Sequence, residues 1–327
     1  MLTNPHALSK NASLVLLTYN QESTVEDAAN SCLSQTCEPI QIIFSDDCST
    51  DSTFEILSSL VDSYTGPHSV VLRKNEKNLG IADHYNELVK LVKSDFIIIA
   101  AGDDISLPNR AQKLIDAWNK SDRQLDLISS FVTDMSRDGK LQSVIKTSHL
   151  EKWKTIDKWC KKRPHVIGAT FAFSKRLFSF FGNLNYGVDF EDQVLSFRCT
   201  ALGGGYTIKE PLVLYRKGGV SSGEVNDKLK LIEQARKKYT RQLAVYTQIR
   251  QDLVKLGKPE LARKKVSTYI LKSELCLKLI DIVSLHSFSE LILFVLKQPE
   301  KPNLLWSLSR MVYIKYPSIP FFLRKKI

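Results

Sequence analysis

The sequence predicts an α/β protein: a doubly wound, mainly parallel sheet covered by helices, with a helical extension at the C-terminus. Three observations carry that expectation. Short apolar runs alternate with amphipathic stretches through the first half of the 327 residues, acidic and hydroxyl residues collect directly behind the apolar runs, and beyond Gly223 the texture changes to long basic segments of helical period. Alternation of this kind marks strands and helices taking turns around a parallel sheet, whose ligands bind beyond the carboxyl ends of its strands.

Strands are expected at 13–18, 40–45, 69–72, 96–100 and 126–131, and covering helices at 23–34, 52–63, 81–92 and 108–118. Asp51 and Ser52 stand where N-cap residues belong, and Pro108 suits a first helical turn. The stretch 139–220 mixes aromatics, lysines and glycines and reads as an elaborated half of the same domain. Within it Gly203, Gly204 and Gly205 follow a helical segment, as a C-terminal cap and turn would. Helices are then expected at 228–256, 259–285 and 289–296. No internal repeat of 20 to 50 residues and no low-complexity tract interrupts the chain.

The formal charge is +11, from 46 Lys and Arg against 35 Asp and Glu, so anions such as phosphates, nucleic acid or acidic lipid are the natural partners. Six cysteines lack any C-x-x-C or zinc-ligand spacing, which predicts reduced thiols and a cytoplasmic protein. The first ten residues lack the basic and apolar regions of a cleaved signal. The apolar run 291–296 is far short of the roughly 20 residues that span a bilayer. Six scattered histidines make no helical i, i+4 pair, arguing against a histidine metal site; His165, near Gly168, is placed to touch an acceptor. Trp153 and Trp159 could stack on a sugar ring, but aromatics in an irregular segment more often pack locally.

The chemistry gathers at strand ends. Strand one runs into Thr18, Tyr19, Asn20 and Glu22; strand two into Asp46, Asp47, Cys48, Ser49, Thr50 and Asp51; strand four into Gly102, Asp103 and Asp104. A carboxylate at Asp46 or Asp47 can accept hydrogen bonds from a ribose hydroxyl or a base imino group, whereas Asp51 reads better as a helix cap. Two adjacent carboxylates at the end of a buried strand are costly unless a cation neutralises them, and hard oxygen ligands suit Mg²⁺ or Mn²⁺ bridging a diphosphate. Alone, Gly-Asp-Asp could equally be a solvated turn.

In this order, Thr18-Tyr19-Asn20, Asp46 to Asp51, Asn78-Leu79-Gly80 with Asn86, Gly102-Asp103-Asp104, Glu191-Asp192 and Tyr215-Arg216 resemble the family 2 glycosyltransferases of the GT-A fold. The resemblance covers about residues 12–221. It implies a catalytic domain over 1–222, with a nucleotide-sugar half at about 12–105 and an acceptor half at about 106–222, followed by a basic helical region over 223–327. It further implies transfer of a sugar from a nucleotide diphosphate sugar, a UDP-sugar above all, to a glycan or lipid-linked oligosaccharide, as in bacterial surface polysaccharide assembly.

Carried over residue by residue, the resemblance puts Thr18, Tyr19, Asn20, Glu22, Asn78, Gly80 and Asn86 around the donor, with Asp46 or Asp47 on the base. Asp103 or Asp104 would contact ribose and a Mg²⁺ or Mn²⁺ ion. Asp192, beside Glu191, would be the general base of an inverting reaction. Many relatives place a histidine two residues after the Tyr-Arg pair; here Arg216 leads into Lys217, Gly218 and Gly219, so Arg216 and Lys217 would serve as cations on the phosphates.

Two rivals remain at this level. A nucleotidyltransferase or NAD-type oxidoreductase would share the sheet, but no G-x-G-x-x-G follows strand one. A basic module for nucleic acid or membrane would use the 12 Lys and Arg within 228–265. The tail 303–327 interleaves Trp306, Tyr313, Phe321 and Phe322 with Arg310, Lys315, Arg324, Lys325 and Lys326. That mixture suits the cytoplasmic face of an anionic membrane, or else packing on the catalytic domain or a second subunit.

Overall fold

A computed structural model describes residues 12–216 and 228–285. The chain divides into two compact units, one of residues 1–186 with 190–222, the other of 187–189 with 223–327. The segment holding Lys217, the expected helix 289–296 and the aromatic and basic tail lie outside the described residues.

The first unit is built on β1 (Ala12–Thr18), β2 (Gln41–Asp46), β3 (Ser69–Lys74) and β4 (Phe96–Ala101), with α1 (Val25–Leu33), α2 (Thr53–Ser63) and α3 (Ile81–Leu91) connecting them. These four strands are parallel, in the order β3-β2-β1-β4, and β1 registers Leu14 on Ile42 and Ile98. Strand β1 is buried along its whole length, which is why it reads as an unbroken apolar run rather than an alternation. Thr18 pairs with Asp46, so both chains reach the carboxyl edge together and deliver their polar residues to one place.

Beyond β4 the mainly parallel sheet takes in antiparallel strands. Short β5 (Ile105–Ser106), α4 (Arg110–Lys120), β6 (Leu127–Met135) and β7 (Leu141–Ile145) come first. They are followed by α5 (Ile156–Lys161), β8 (Ala172–Ser174), α6 (Arg176–Phe181), α7 (Glu191–Leu202) and β9 (Gly205–Arg216). Strand β8 lies antiparallel between β4 and β6, β6 and β9 are parallel, and β5 closes the far edge antiparallel to β9. Among the described residues this makes a nine-stranded mixed sheet. The core between sheet and helices includes Leu16, Phe44, Ile98 and Leu114, with Phe96 and Trp118 stacked 4.6 Å apart.

Three local expectations are refined. Helix α4 starts at Arg110 with Asn109 as N-cap, not at Pro108, because Leu107 donates to the Leu212 carbonyl and holds this stretch as a strand edge. Ser52 is the N-cap of α2 by position, but the side chain that bonds the first turn is Asp51, whose Oδ1 accepts from Thr53 N at 3.0 Å. Gly203 does cap α7, at φ 88°, with its N–H on the Cys199 carbonyl.

The second unit packs α8 (Lys228–Lys255) on α10 (Ser267–Leu285) through Ile249, Leu253, Leu275, Leu279 and the stacked rings of Tyr246 and Tyr269. Between them lie the short α9 (Pro259–Leu261) and a π-helical turn, Ala262–Val266. No described helix is long and apolar enough to cross a membrane.

Candidate functional site

The ends of β1 and β2 are fastened to each other by their own polar side chains. Thr18 Oγ1 donates to Asp46 Oδ1 at 3.1 Å, Ser49 Oγ to the same oxygen at 2.5 Å, and Ser49 N to Asp46 Oδ2 at 2.8 Å. Asn20, at φ 51°, accepts from Thr50 N, and Glu22 accepts from Ser52 N at 3.0 Å. Tyr19, Asn20 and Glu22 are exposed on this rim.

Asp47 works the same way one residue on. Its Oδ1 accepts from Asn75 Nδ2 at 2.6 Å and Leu79 N at 2.9 Å, and its Oδ2 from Gly80 N at 2.9 Å. Gly80 has φ 74°, a conformation that suits glycine, and Asn78 Oδ1 also accepts from its N–H. Asp46 and Asp47, one or other of which is expected to read a base, therefore already hold the loops around this edge of the sheet. The amide of Asn86 brackets Leu184: Nδ2 donates to the Leu184 carbonyl and Oδ1 accepts from Leu184 N.

The Gly102-Asp103-Asp104 turn is of the opposite kind. Asp104 Oδ1 accepts from Arg216 N at 2.8 Å, while the Arg216 side chain reaches the Asp103 carbonyl and ion-pairs with Asp27 at 3.3 Å. Burial pushes the Asp104 carboxyl up to about 7, helped by the neighbouring charge of Asp103, and burial raises Asp103 too. The nearby charges of Arg110 and Arg216 offset this only in part. Among the described residues no three His, Cys, Asp or Glu side chains converge as a metal cage. A hard divalent ion on a diphosphate draws most of its oxygens from phosphates and water, so two carboxylates fit it.

Glu191 and Asp192 open α7. Asp192 Oδ1 is buried without a hydrogen-bond partner, and burial lifts the carboxyl to about 6. A methyl group placed on Gly168 would fall 2.7 Å from Glu191 Oε1, so the turn Gly168–Thr170 lies directly against the acidic pair. Tyr215 connects the two carboxylate groups: burial raises its hydroxyl, and the charges of Asp104, Asp103 and Asp192 raise it further. The chain thus brings Asp103, Asp104, Asp192, Tyr215 and Arg216 into one neighbourhood.

Several buried polar residues beneath this site were not singled out by sequence. Ser45 Oγ accepts from Arg73 Nη1 at 2.6 Å and lies 2.7 Å from His84 Nε2; burial lowers His84 to about 4. Arg110 is fully buried under β4. Trp159, by contrast, is core, edge-on to Phe197 with Nε1 donating to Ser196. Trp153 Nε1 donates to the Lys162 carbonyl, and His165 is exposed.

Residues 13–181 match the family model described as glycosyl transferase family 2. The UDP-Glc:alpha-D-GlcNAc-diphosphoundecaprenol beta-1,3-glucosyltransferase WfaP of Escherichia coli is 34% identical over 92 residues, 28% of this chain and 35% of that protein. The chain spans about a third to a half of the length of such curated relatives. S. aureus TarS 1-349 in complex with UDP superposes with a TM-score of 0.54 at 14% identity, covering 93% of this chain and 80% of that one. The mannosyltransferase PcManGT from Pyrobaculum calidifontis, in complex with GDP-Man and Mn²⁺, gives 0.53 at 13%, covering 95% and 89%. At such identities the likeness is one of fold, the GT-A type.

Proposed function

The chain belongs to glycosyl transferase family 2 and is a glycosyltransferase, and from that premise we propose that it transfers a sugar from a UDP-sugar with inversion, using Asp192 as general base. The observation that carries this reading is the buried, unpartnered Asp192 Oδ1 on a carboxyl lifted to about 6. A buried carboxylate oxygen left without a donor is poised to take the proton of an attacking hydroxyl, and a value near neutrality is where a base is both deprotonated and basic. The acceptor in this reading is a glycan or lipid-linked oligosaccharide, in line with the diphosphoundecaprenol substrate in the name of the Escherichia coli relative. The many basic side chains of α8 would favour an anionic lipid surface.

Asp103 and Asp104 would hold Mg²⁺ or Mn²⁺, and Arg216 keeps Asp104 in place through its backbone N–H. When bound, the ion would neutralise charge growing on the departing diphosphate. On the opposite side Asp192 removes the proton from the acceptor hydroxyl as it attacks the anomeric carbon, so inversion follows from attack opposite the leaving group.

Incubating the purified protein with a panel of nucleotide sugars and measuring released nucleoside diphosphate tests this. Turnover of a UDP-sugar that excess EDTA abolishes and Mn²⁺ restores is the expected result. Turnover unchanged in EDTA would move phosphate charge neutralisation to Arg216 and Lys217, and no turnover of any nucleotide sugar would sink the reading.

A further inference from the structure

Arg110 is 0% exposed, and its hydrogen bonds to Ser106, Ile99 and Ala169 all go to neutral acceptors. Nη1 donates to Ser106 Oγ at 2.8 Å; Nη2 donates both to the Ile99 carbonyl at 2.6 Å and to the Ala169 carbonyl at 2.8 Å. A buried guanidinium with no carboxylate bonded to it is an expensive fastener, so its position needs a reason.

The reason lies in the ladder between β4 and β8. Their pairing runs from Phe96 on Ser174 to Ile98 on Ala172, and Ile99 N still donates to the Phe171 carbonyl. There the chain leaves the ladder for the Gly168–Thr170 turn, and the Ile99 carbonyl has no next rung. Arg110 Nη2 supplies it, joining Ile99 to Ala169 from a single nitrogen. One face of that turn is therefore nailed to the strand that ends at Ala101 and presents Asp103 and Asp104. Its other face abuts Glu191 and Asp192, as the closeness of Gly168 shows.

We propose that Arg110 is a positioning residue for sugar transfer, fixing the turn behind Asp192 to the strand that presents Asp103 and Asp104. This inference rests on the donor and base assignments above. Arginine suits the role because its planar fork reaches three acceptors on separate segments at once, which a lysine ammonium cannot. Burial lowers Arg110 to about 10, partly opposed by the nearby charge of Asp104, so the side chain is still a cation at neutral pH.

The test uses full-length wild-type protein, Arg110→Lys and Gly168→Ala, with UDP-glucose and GDP-mannose as probes. Turnover is followed by nucleoside diphosphate release and binding by calorimetry. Arg110→Lys keeps the charge but loses the double rung; Gly168→Ala pushes the same turn from its other face with Arg110 intact. Both are expected to bind the consumed nucleotide sugar within about 3-fold of wild type while kcat falls about 10- to 100-fold, the scale of a misplacement of about 1 Å. Binding, melting temperature and kcat falling together, or Arg110→Lys with wild-type kcat, would overturn the positioning role. Wild-type protein that consumes neither these probes nor any other nucleotide sugar of the panel above overturns the underlying donor reading, and this inference with it.

Discussion

The proposed donor edge and the proposed base edge of this molecule use the same residue type in opposite states. Asp46 and Asp47 each accept three hydrogen bonds from the strand ends and loops around them. Asp192 has one buried oxygen unanswered, and Asp104 is burdened by burial and by Asp103. A saturated carboxylate shapes a pocket and contributes to stability. A starved one costs stability and is available for chemistry, because its missing partner is what a substrate or ion supplies. The contrast is open to direct attack with isosteric substitutions.

The largest expected effect is on turnover. Asp192→Asn keeps shape but cannot accept a proton, so kcat for sugar transfer should fall by about 10²-fold or more while the donor dissociation constant stays close to wild type. Rapid-quench turnover and calorimetry on the same preparation measure both. Near-wild-type kcat in a folded Asp192→Asn protein removes the base assignment and places both aspartate groups on the structural side of the comparison.

The second effect is on stability, and it should separate the two edges by sign. Asp47→Asn turns an amide donor toward one of the backbone or side-chain donors that Asp47 now accepts, leaving a buried mismatch worth about 1–3 kcal/mol. That corresponds to a drop of several degrees in melting temperature at about 2–4 °C per kcal/mol for a unit of this size. Asp192→Asn, which removes a charge that burial penalises, should melt at or above the wild-type temperature at pH 8. Equal destabilisation by both changes would erase the distinction.

Sequence displayed one half of this comparison far better than the other. The strands were legible because β1, β2 and β4 are buried on both faces and spell apolar runs, and the acidic motifs were legible because they directly follow those runs. What the sequence hid is non-local. Whether Asp47 is saturated depends on Asn75, Leu79 and Gly80, 28 to 33 residues away. Arg110 looks like an ordinary surface arginine of an amphipathic helix until the carbonyls of Ile99 and Ala169, 11 and 59 residues distant, close on it. Strand β8 escaped because three residues, Ala172–Ser174, carry no period, and its antiparallel insertion is set by the neighbours it fits between.

The smallest expected effect is a slope. In the fold the Asp192 carboxyl titrates at about 6 and Asp104 at about 7, each raised from an ordinary 3.8, with burial as the main cause. Within those windows the folded chain holds protons that the unfolded chain has released, so the number bound is larger in the native state. The contribution of these two groups to stability must then fall as pH rises: it is greatest below about 3.8 and declines until about 6 for Asp192 and about 7 for Asp104. Turnover should climb over the same range, because the base acts only when deprotonated. Urea midpoints at intervals from pH 4.5 to 7.5 read the slope. Asp192→Asn should make it shallower below about pH 6 while leaving the Asp104 contribution, which continues up to about 7. The same slope in both proteins would mean that Asp192 titrates normally in the fold, and would remove the starved carboxylate from the base edge.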